Sequence, residues 1–340
     1  MTTPVPVGII GAGRIAQIHA KALAHLIPSA NPIAIADINL DAARQLASEL
    51  GIEHAYDDHR QILKNPAIEA VIICSSTDTH APFMIQAAEA GKHIFCEKPI
   101  SINLGLIDEA LDVVKQHGVK LQIGFHKRFD KGYRDARQLI ESGAYGEPRI
   151  LNLTSRDPAP PSLDYLKGSG GIFLDMTIHD FDMVRYLMGC EVEEVYAVGG
   201  VMVDPKIGSY ANDIDTTIIT LKFENGAIGT INNCRQSEYG YDQRVEWFGS
   251  KGSIQVENEK TSTLVTSNND GISSAKPPYF FLERYMDAYQ AELEAFIQML
   301  LDDSEPEVTG LDGRMPVVIG LAAWKSYREG RPVKLSEIDG

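Results

Sequence analysis

Up to about residue 124 the chain alternates short apolar runs with segments in which apolar residues recur every three or four positions. Runs of the first kind suit buried strands and segments of the second kind amphipathic helices, so the alternation predicts βαβ units and a parallel sheet. The expected strands are 5–10, 32–37, 70–74, 93–96 and 120–124, and the expected helices 14–26, 41–50, 82–90 and 103–116. Gly51, Gly91 and Gly118 follow three of those helices, where a left-handed cap is cheapest for glycine.

After Arg149 the period changes. Stretches 149–155, 192–203, 215–223, 227–235, 244–249, 252–257 and 261–266 alternate apolar with polar residues, as half-buried antiparallel strands do. Asn225-Gly226 predicts a hairpin in which both central residues take positive φ, and Ser250-Lys251-Gly252 predicts the next turn. Residues 268–276 read as a polar loop, and helices 282–301 and 315–328 close the chain. One sheet face would leave Ile218, Ile228 and Ile231 in water, so a homo-oligomer is expected.

Composition narrows the functional classes. A chain of 340 residues, 44% hydrophobic and 23% charged, is long enough for two folded domains without disulfide or metal staples. Its formal charge of −16 opposes nucleic acid and anionic membranes as partners. Cys74, Cys96, Cys190 and Cys234 form no CxxC pair, and two lie in apolar runs, as reduced thiols do. Residues 1–7 lack a basic targeting region, and no apolar run approaches the roughly 18 residues of a membrane span, so a cytoplasmic protein is expected.

The first candidate site is Gly11-Ala12-Gly13-Arg14-Ile15-Ala16, between an expected strand and an expected helix. In such a GxGxxA turn Gly11 permits the tight bend, Gly13 lets backbone approach a pyrophosphate, and Ala16 allows close helix–strand packing. The helix start at Arg14 and Ile15 offers N–H groups to the anion. Asp37 follows at the end of the next strand, placed to accept hydrogen bonds from a ribose diol, or else to serve as a turn or helix-cap residue. Ile38 and Asn39 offer no cation for a 2′-phosphate, which favours NAD over NADP. The first domain, 1–124, is thus expected to be an α/β Rossmann domain, followed over 125–340 by an α+β domain with an open, mostly antiparallel sheet.

Lys98, in Glu97-Lys98-Pro99 at a strand's carboxyl end, is placed to reach a substrate hydroxyl, or is a surface lysine before a loop. Asp175 and His179 are expected on one face of a helix running to Leu187 and capped by Gly189. There the imidazole would take a hydroxyl proton and the carboxylate would stabilise its charged form, unless both serve the helix alone. Asp180 and Asp182 raise a metal reading, but they cannot both lie on that face and there is no HExxH or Cys set, so no metal is expected.

GAGRIA, Asp37, CEKP and DMTIHDFD in this order resemble the Gfo/Idh/MocA oxidoreductase family over essentially the full length, with inositol 2-dehydrogenases the nearest likeness. Supporting stretches are Gly124-Phe125-His126-Lys127-Arg128-Phe129-Asp130, Arg156-Asp157-Pro158 and the run from Tyr165 to Phe173. The resemblance implies NAD-dependent oxidation of a ring hydroxyl of myo-inositol or a close isomer to the 2-keto product, with Lys98, Asp175 and His179 as the catalytic trio. It also implies cofactor contacts from Ser75, Ser76, Thr77, His80, Glu97 and Lys98, polyol contacts from Lys127, Asp157 and Tyr241, and a homotetramer. Lys127 stands where arginine is frequent and Ser155 where some members carry histidine. Another cyclic sugar or anhydrosugar is the alternative substrate. The alternative class is a non-catalytic, dinucleotide-dependent regulator, which would have no need of the trio.

Overall fold

The computed structural model describes residues 3–339, which form two compact units. One contains the residues up to Phe129 together with Met286–Met315, the other Asp130–Tyr285 together with the residues from Pro316 onward.

The first unit is built on six parallel strands in the order β3-β2-β1-β4-β5-β6: β1 (Val5–Ile10), β2 (Ala30–Ala36), β3 (His54–Tyr56), β4 (Ala70–Ile73), β5 (His93–Glu97) and β6 (Leu121–Gly124). The apolar run of β4 is buried throughout, as a central parallel strand covered on both faces must be. Neither β3 nor the short helix Arg60–Lys64 was expected, because each is too brief to show a period. Helix Thr77–Glu89 begins at Thr77 rather than at Pro82, which lies inside it.

The expected division, 1–124 and 125–340, does not describe these units. Tyr285 interrupts the expected helix 282–301, and the part beyond it, Met286–Asp302, belongs to the first unit. Its Leu293, Phe296, Ile297 and Met299 share one apolar core with Val7, Ile9, Ile72 and Phe95. Local periodicity tells which stripe of a helix is buried, not which sheet buries it.

The second unit carries seven strands in the order β12-β11-β7-β10-β9-β8-β15. They are β7 (Pro148–Arg156), β8 (Val192–Gly200), β9 (Thr216–Phe223), β10 (Ile228–Cys234), β11 (Asp242–Gly249), β12 (Ser253–Val256) and β15 (Val333–Lys334). Every neighbouring pair is antiparallel except β7 and β10, which run parallel with Cys234 opposite Arg156. A separate exposed hairpin of β13 (Val265–Asn268) and β14 (Gly271–Ser274) takes the place of the expected strand 261–266 and polar loop.

Two local expectations change. The β9–β10 register pairs Lys222 with Ile228, leaving a loop longer than two residues, so Gly226 takes positive φ (+84°) and Asn225 does not. A longer loop built on an ordinary turn needs only one left-handed residue. On the sheet's outer face Ile218 and Ile228 are exposed, but Ile231, paired with Ile219, faces the covered side and is fully buried.

Candidate active site

In the first unit, β1 runs into Gly11 at φ +115°, where a Cβ would lie 2.7 Å from the Cys74 carbonyl oxygen. Only glycine fits that bend. Gly13 caps helix Arg14–His25 in extended conformation, and a Cβ built there meets nothing within 4 Å, so the loop is open to a ligand where Arg14 and Ile15 begin the helix. The Asp37 carboxylate accepts from the Ala12 N–H at 2.7 Å and from the Asn39 N–H at 2.8 Å. Asn39, not Asp37, caps the next helix, by accepting from the Ala42 N–H. Asp37 is therefore tied to the glycine loop with lone pairs to spare, and its neighbour Ile38 is 97% exposed. An open glycine edge, a helix N-terminus and a fixed carboxylate suit a pyrophosphate and a ribose diol.

The loop after β4 is held from within. Ser75 Oγ lies 2.6 Å from Thr79 Oγ1, which donates to the Ser76 carbonyl, while Thr77 opens the helix. His80 is buried, its Nδ1 2.8 Å from the Pro99 carbonyl and its Nε2 3.0 Å from the Ser75 carbonyl. Burial holds this imidazole below its ordinary range despite the two carbonyls. The ring thus ties the loop after β4 to the loop after β5. The Glu97 side chain turns inward, 2.7 Å from His19 Nε2, and accepts from the Lys98 N–H at 3.3 Å. Lys98 itself is half-buried, and Lys127 is buried in the single turn His126–Phe129 after β6.

In the second unit the parallel pair brings two carboxyl ends to one edge, with Asp157 just beyond β7 and Arg235 just beyond β10. The Asp157 N–H donates to the Cys234 carbonyl at 3.0 Å. The expected single helix through Asp175 and His179 is broken: Asp175 ends the short helix Ile172–Asp175, and His179 lies in the first turn of Ile178–Met188, capped by Gly189. At this junction Thr177 Oγ1 and the Asp180 carboxylate both bond to the side chain of Asn233 on β10. That anchor makes Asp180 part of the scaffold.

Arg235 organises the charges. It is 1% exposed, donates to Asp175 at 3.1 Å and lies 3.7 Å from Asp213. Burial works against its charge, yet Asp175, Asp157 and Asp213 together raise its pKa. The other Asp175 oxygen accepts from the Tyr165 hydroxyl at 2.8 Å. Burial pushes Asp213 up, against hydrogen bonds from the Ile172 and Ile214 N–H groups. Tyr241, also buried, is pushed well above its ordinary range first by burial and then by the charges of Asp157 and Asp180, so its phenol stays neutral.

Asp157, Asp175, His179 and Tyr241 thus belong to one edge of the second unit. Ser155, beside them, is hydrogen-bonded to the Gln243 amide. Arg235 was not singled out from the sequence, although arginine one residue past a strand parallel to the Asp157 strand is the signal that would have found it. Among the described residues, the one group of acidic, histidine or cysteine side chains with ligand atoms close enough to hold a metal is His19, Glu97 and Glu292. Asp175, His179, Asp180 and Asp182 form no such group.

Comparisons with known proteins agree with this geometry. Residues 5–125 match the model of the Gfo/Idh/MocA oxidoreductase family, NAD-binding Rossmann fold, and residues 133–255 that of the Gfo/Idh/MocA C-terminal domain. The chain is 48% identical to a myo-inositol 2-dehydrogenase of Thermotoga maritima, over 98% of this chain and 99% of that protein. It is 40% identical to an inositol 2-dehydrogenase of Rhizobium meliloti, over 97% and 98%. A scyllo-inositol dehydrogenase of Lactobacillus casei, solved with NAD(H) and scyllo-inositol, superposes with a TM-score of 0.93 at 29% identity, over 98% of this chain and 100% of that one. With the glycine turn, Asp37 and both domain models in register along the chain, this protein belongs to the Gfo/Idh/MocA family and is an NAD-dependent oxidoreductase.

Proposed function

We propose that the protein oxidises a ring hydroxyl of myo-inositol, or a closely related isomer, to the 2-keto product, with Lys98, Asp175 and His179 carrying the reaction. The observation that carries this reading is the charge arrangement at Asp175, whose two oxygens are held by Arg235 and Tyr165 in the segment that leads into His179. When bound, NAD supplies the hydride acceptor. Gly11, Gly13, Arg14, Ile15 and Asp37 hold its pyrophosphate and ribose, with Ser75, Ser76 and Thr77 along the loop after β4. His179 takes the hydroxyl proton as the carbon loses hydride, the Asp175 carboxylate stabilises the imidazolium, and the Lys98 ammonium polarises the oxygen. Asp157, Tyr241 and Lys127 pair with the remaining hydroxyls. Recognition of one isomer rests on such pairings, because a polar group left without its hydroxyl costs binding.

The test is NADH formation with myo-inositol, scyllo-inositol, D-chiro-inositol, glucose and levoglucosan. Turnover of an inositol above the sugars supports the proposal. Turnover of levoglucosan or glucose alone moves the substrate to another cyclic sugar, and tight NAD binding without turnover of any of them favours a regulator.

We further propose a homotetramer covering the outer face of the second unit's sheet, where Ile150, Tyr196, Val198, Ile218, Ile228 and Phe248 are exposed. Apolar side chains in that number on one face favour burial between subunits. Light scattering at micromolar concentration should give an oligomer, and a species at 37.3 kDa would refute it.

A further inference from the structure

Helix Met286–Asp302 carries a carboxyl whose surroundings the proposed chemistry does not use. Glu292 is fully buried, and neither of its oxygens has a hydrogen-bond partner. It lies beside His19 of helix Arg14–His25 and Glu97 of β5, one side-chain atom from each of the three falling within 4.8 Å of the others. Two ionised carboxylates that close in a dry interior repel strongly, so a proton or a cation must offset one charge.

The hydrogen bonds decide which carboxyl holds the charge. Glu97 accepts from the Lys98 N–H at 3.3 Å and lies 2.7 Å from His19 Nε2, a donor when the ring carries its hydrogen there. Glu292 faces none. The negative charge therefore belongs on Glu97 and the proton on Glu292. Burial, reinforced by the charge of Glu97, pushes the Glu292 carboxyl well above the usual carboxylate range.

The other titratable groups nearby do not change this assignment. Cys74 and Cys96 are pushed up by burial and stay neutral thiols. Tyr289, on the same helix as Glu292, packs against the rings of His19 and His126.

We propose that Glu292 is a positioning residue: as the neutral acid it turns its hydroxyl toward Glu97, leaving Glu97 as the single buried anion that anchors the peptide N–H of Lys98. This rests on the reading of Lys98 as a catalytic residue. Glu292 touches no reacting atom and acts through Glu97.

Infrared difference spectroscopy of the intact enzyme, wild type against Glu292→Gln, tests the proton directly. A protonated carboxylic acid has a carbonyl stretch clear of the carboxylate bands and shifted in D2O. The band should appear at neutral pH in the wild type and vanish in the variant, and its absence from the wild type overturns the proposal. So does a stoichiometric metal in the wild type that Glu292→Gln loses.

Melting adds a second readout. A carboxyl whose folded pKa is raised contributes its full stability below the unfolded pKa and loses it as pH rises toward the folded value. The melting temperature of Glu292→Gln relative to wild type should therefore climb between about pH 5 and pH 8, and a flat difference overturns the assignment.

Positioning is read from kinetics on whichever polyol is oxidised. Glu292→Leu should lower kcat at least about tenfold with NAD affinity unchanged, and Glu292→Gln, a neutral hydrogen-bonding mimic, should recover most of that loss. A wild-type kcat in Glu292→Leu, or a Glu292→Gln as slow as Glu292→Leu, overturns the positioning role. If no inositol is oxidised the functional reading fails, while the infrared band and the melting profile still judge the proton on Glu292.

Discussion

The carboxyl ends of parallel strands form the candidate ligand edge in both units, yet the two edges are made differently. At β1 the groups are mostly backbone: a glycine bend, a helix N-terminus and one carboxylate, Asp37, bonded to Ala12 of the same loop. Beyond β7 and β10 they are charged side chains from well-separated segments, Asp157, Asp175 and Asp213, gathered around the buried guanidinium of Arg235. A backbone site is written in a few consecutive residues and tolerates most changes elsewhere. A site of buried charges depends on every partner at once, since removing one leaves another uncompensated.

The largest effect is therefore expected at Arg235. Arg235→Met leaves Asp175 and Asp213 facing each other without their shared cation, and should cost about 3–5 kcal/mol of stability, read by denaturant unfolding. A loss within about 0.5 kcal/mol would remove the contrast between the two edges.

Next comes His179→Ala, expected to lower kcat by about 10²-fold or more and to abolish the acidic limb of kcat/KM, because a protonated imidazole takes no further proton. NAD affinity should hold, as the groups around Gly11 and Asp37 are untouched. An unchanged rate and limb would make His179 a helix residue and send the search for the base to Lys98 or Asp175.

The smallest change is expected at the backbone edge. Asp37→Ser with Ile38→Arg removes the carboxylate that opposes a 2′-phosphate and adds a cation at an exposed position, so preference should move toward NADP while the fold persists. A parent-like ratio of kcat/KM for the two cofactors would show that Asp37 does not face the ribose.

Legibility followed the same divide. The glycine turn, Asp37 and most strands of the first unit could be read because each signal lies within one short segment and one period. The directions of the His80 and Glu97 side chains could not be read: they turn inward, where the carbonyls of Ser75 and Pro99 and the ring of His19 meet them. No spacing rule carries the direction of a side chain at a strand end.

By itself, then, the sequence determined the alternating elements of the first unit, the nucleotide turn, the family and the identities of the candidate catalytic groups. Tertiary structure alone decided that Met286–Asp302 completes the first core, that Asn233 of β10 holds Thr177 and Asp180 between Asp175 and His179, that Arg235 holds Asp175, and that Glu292 lies beside His19 and Glu97. The reason is physical: turns and periods are short-range properties of the chain, whereas burial and charge pairing join residues whose separation in sequence carries no trace of their contact.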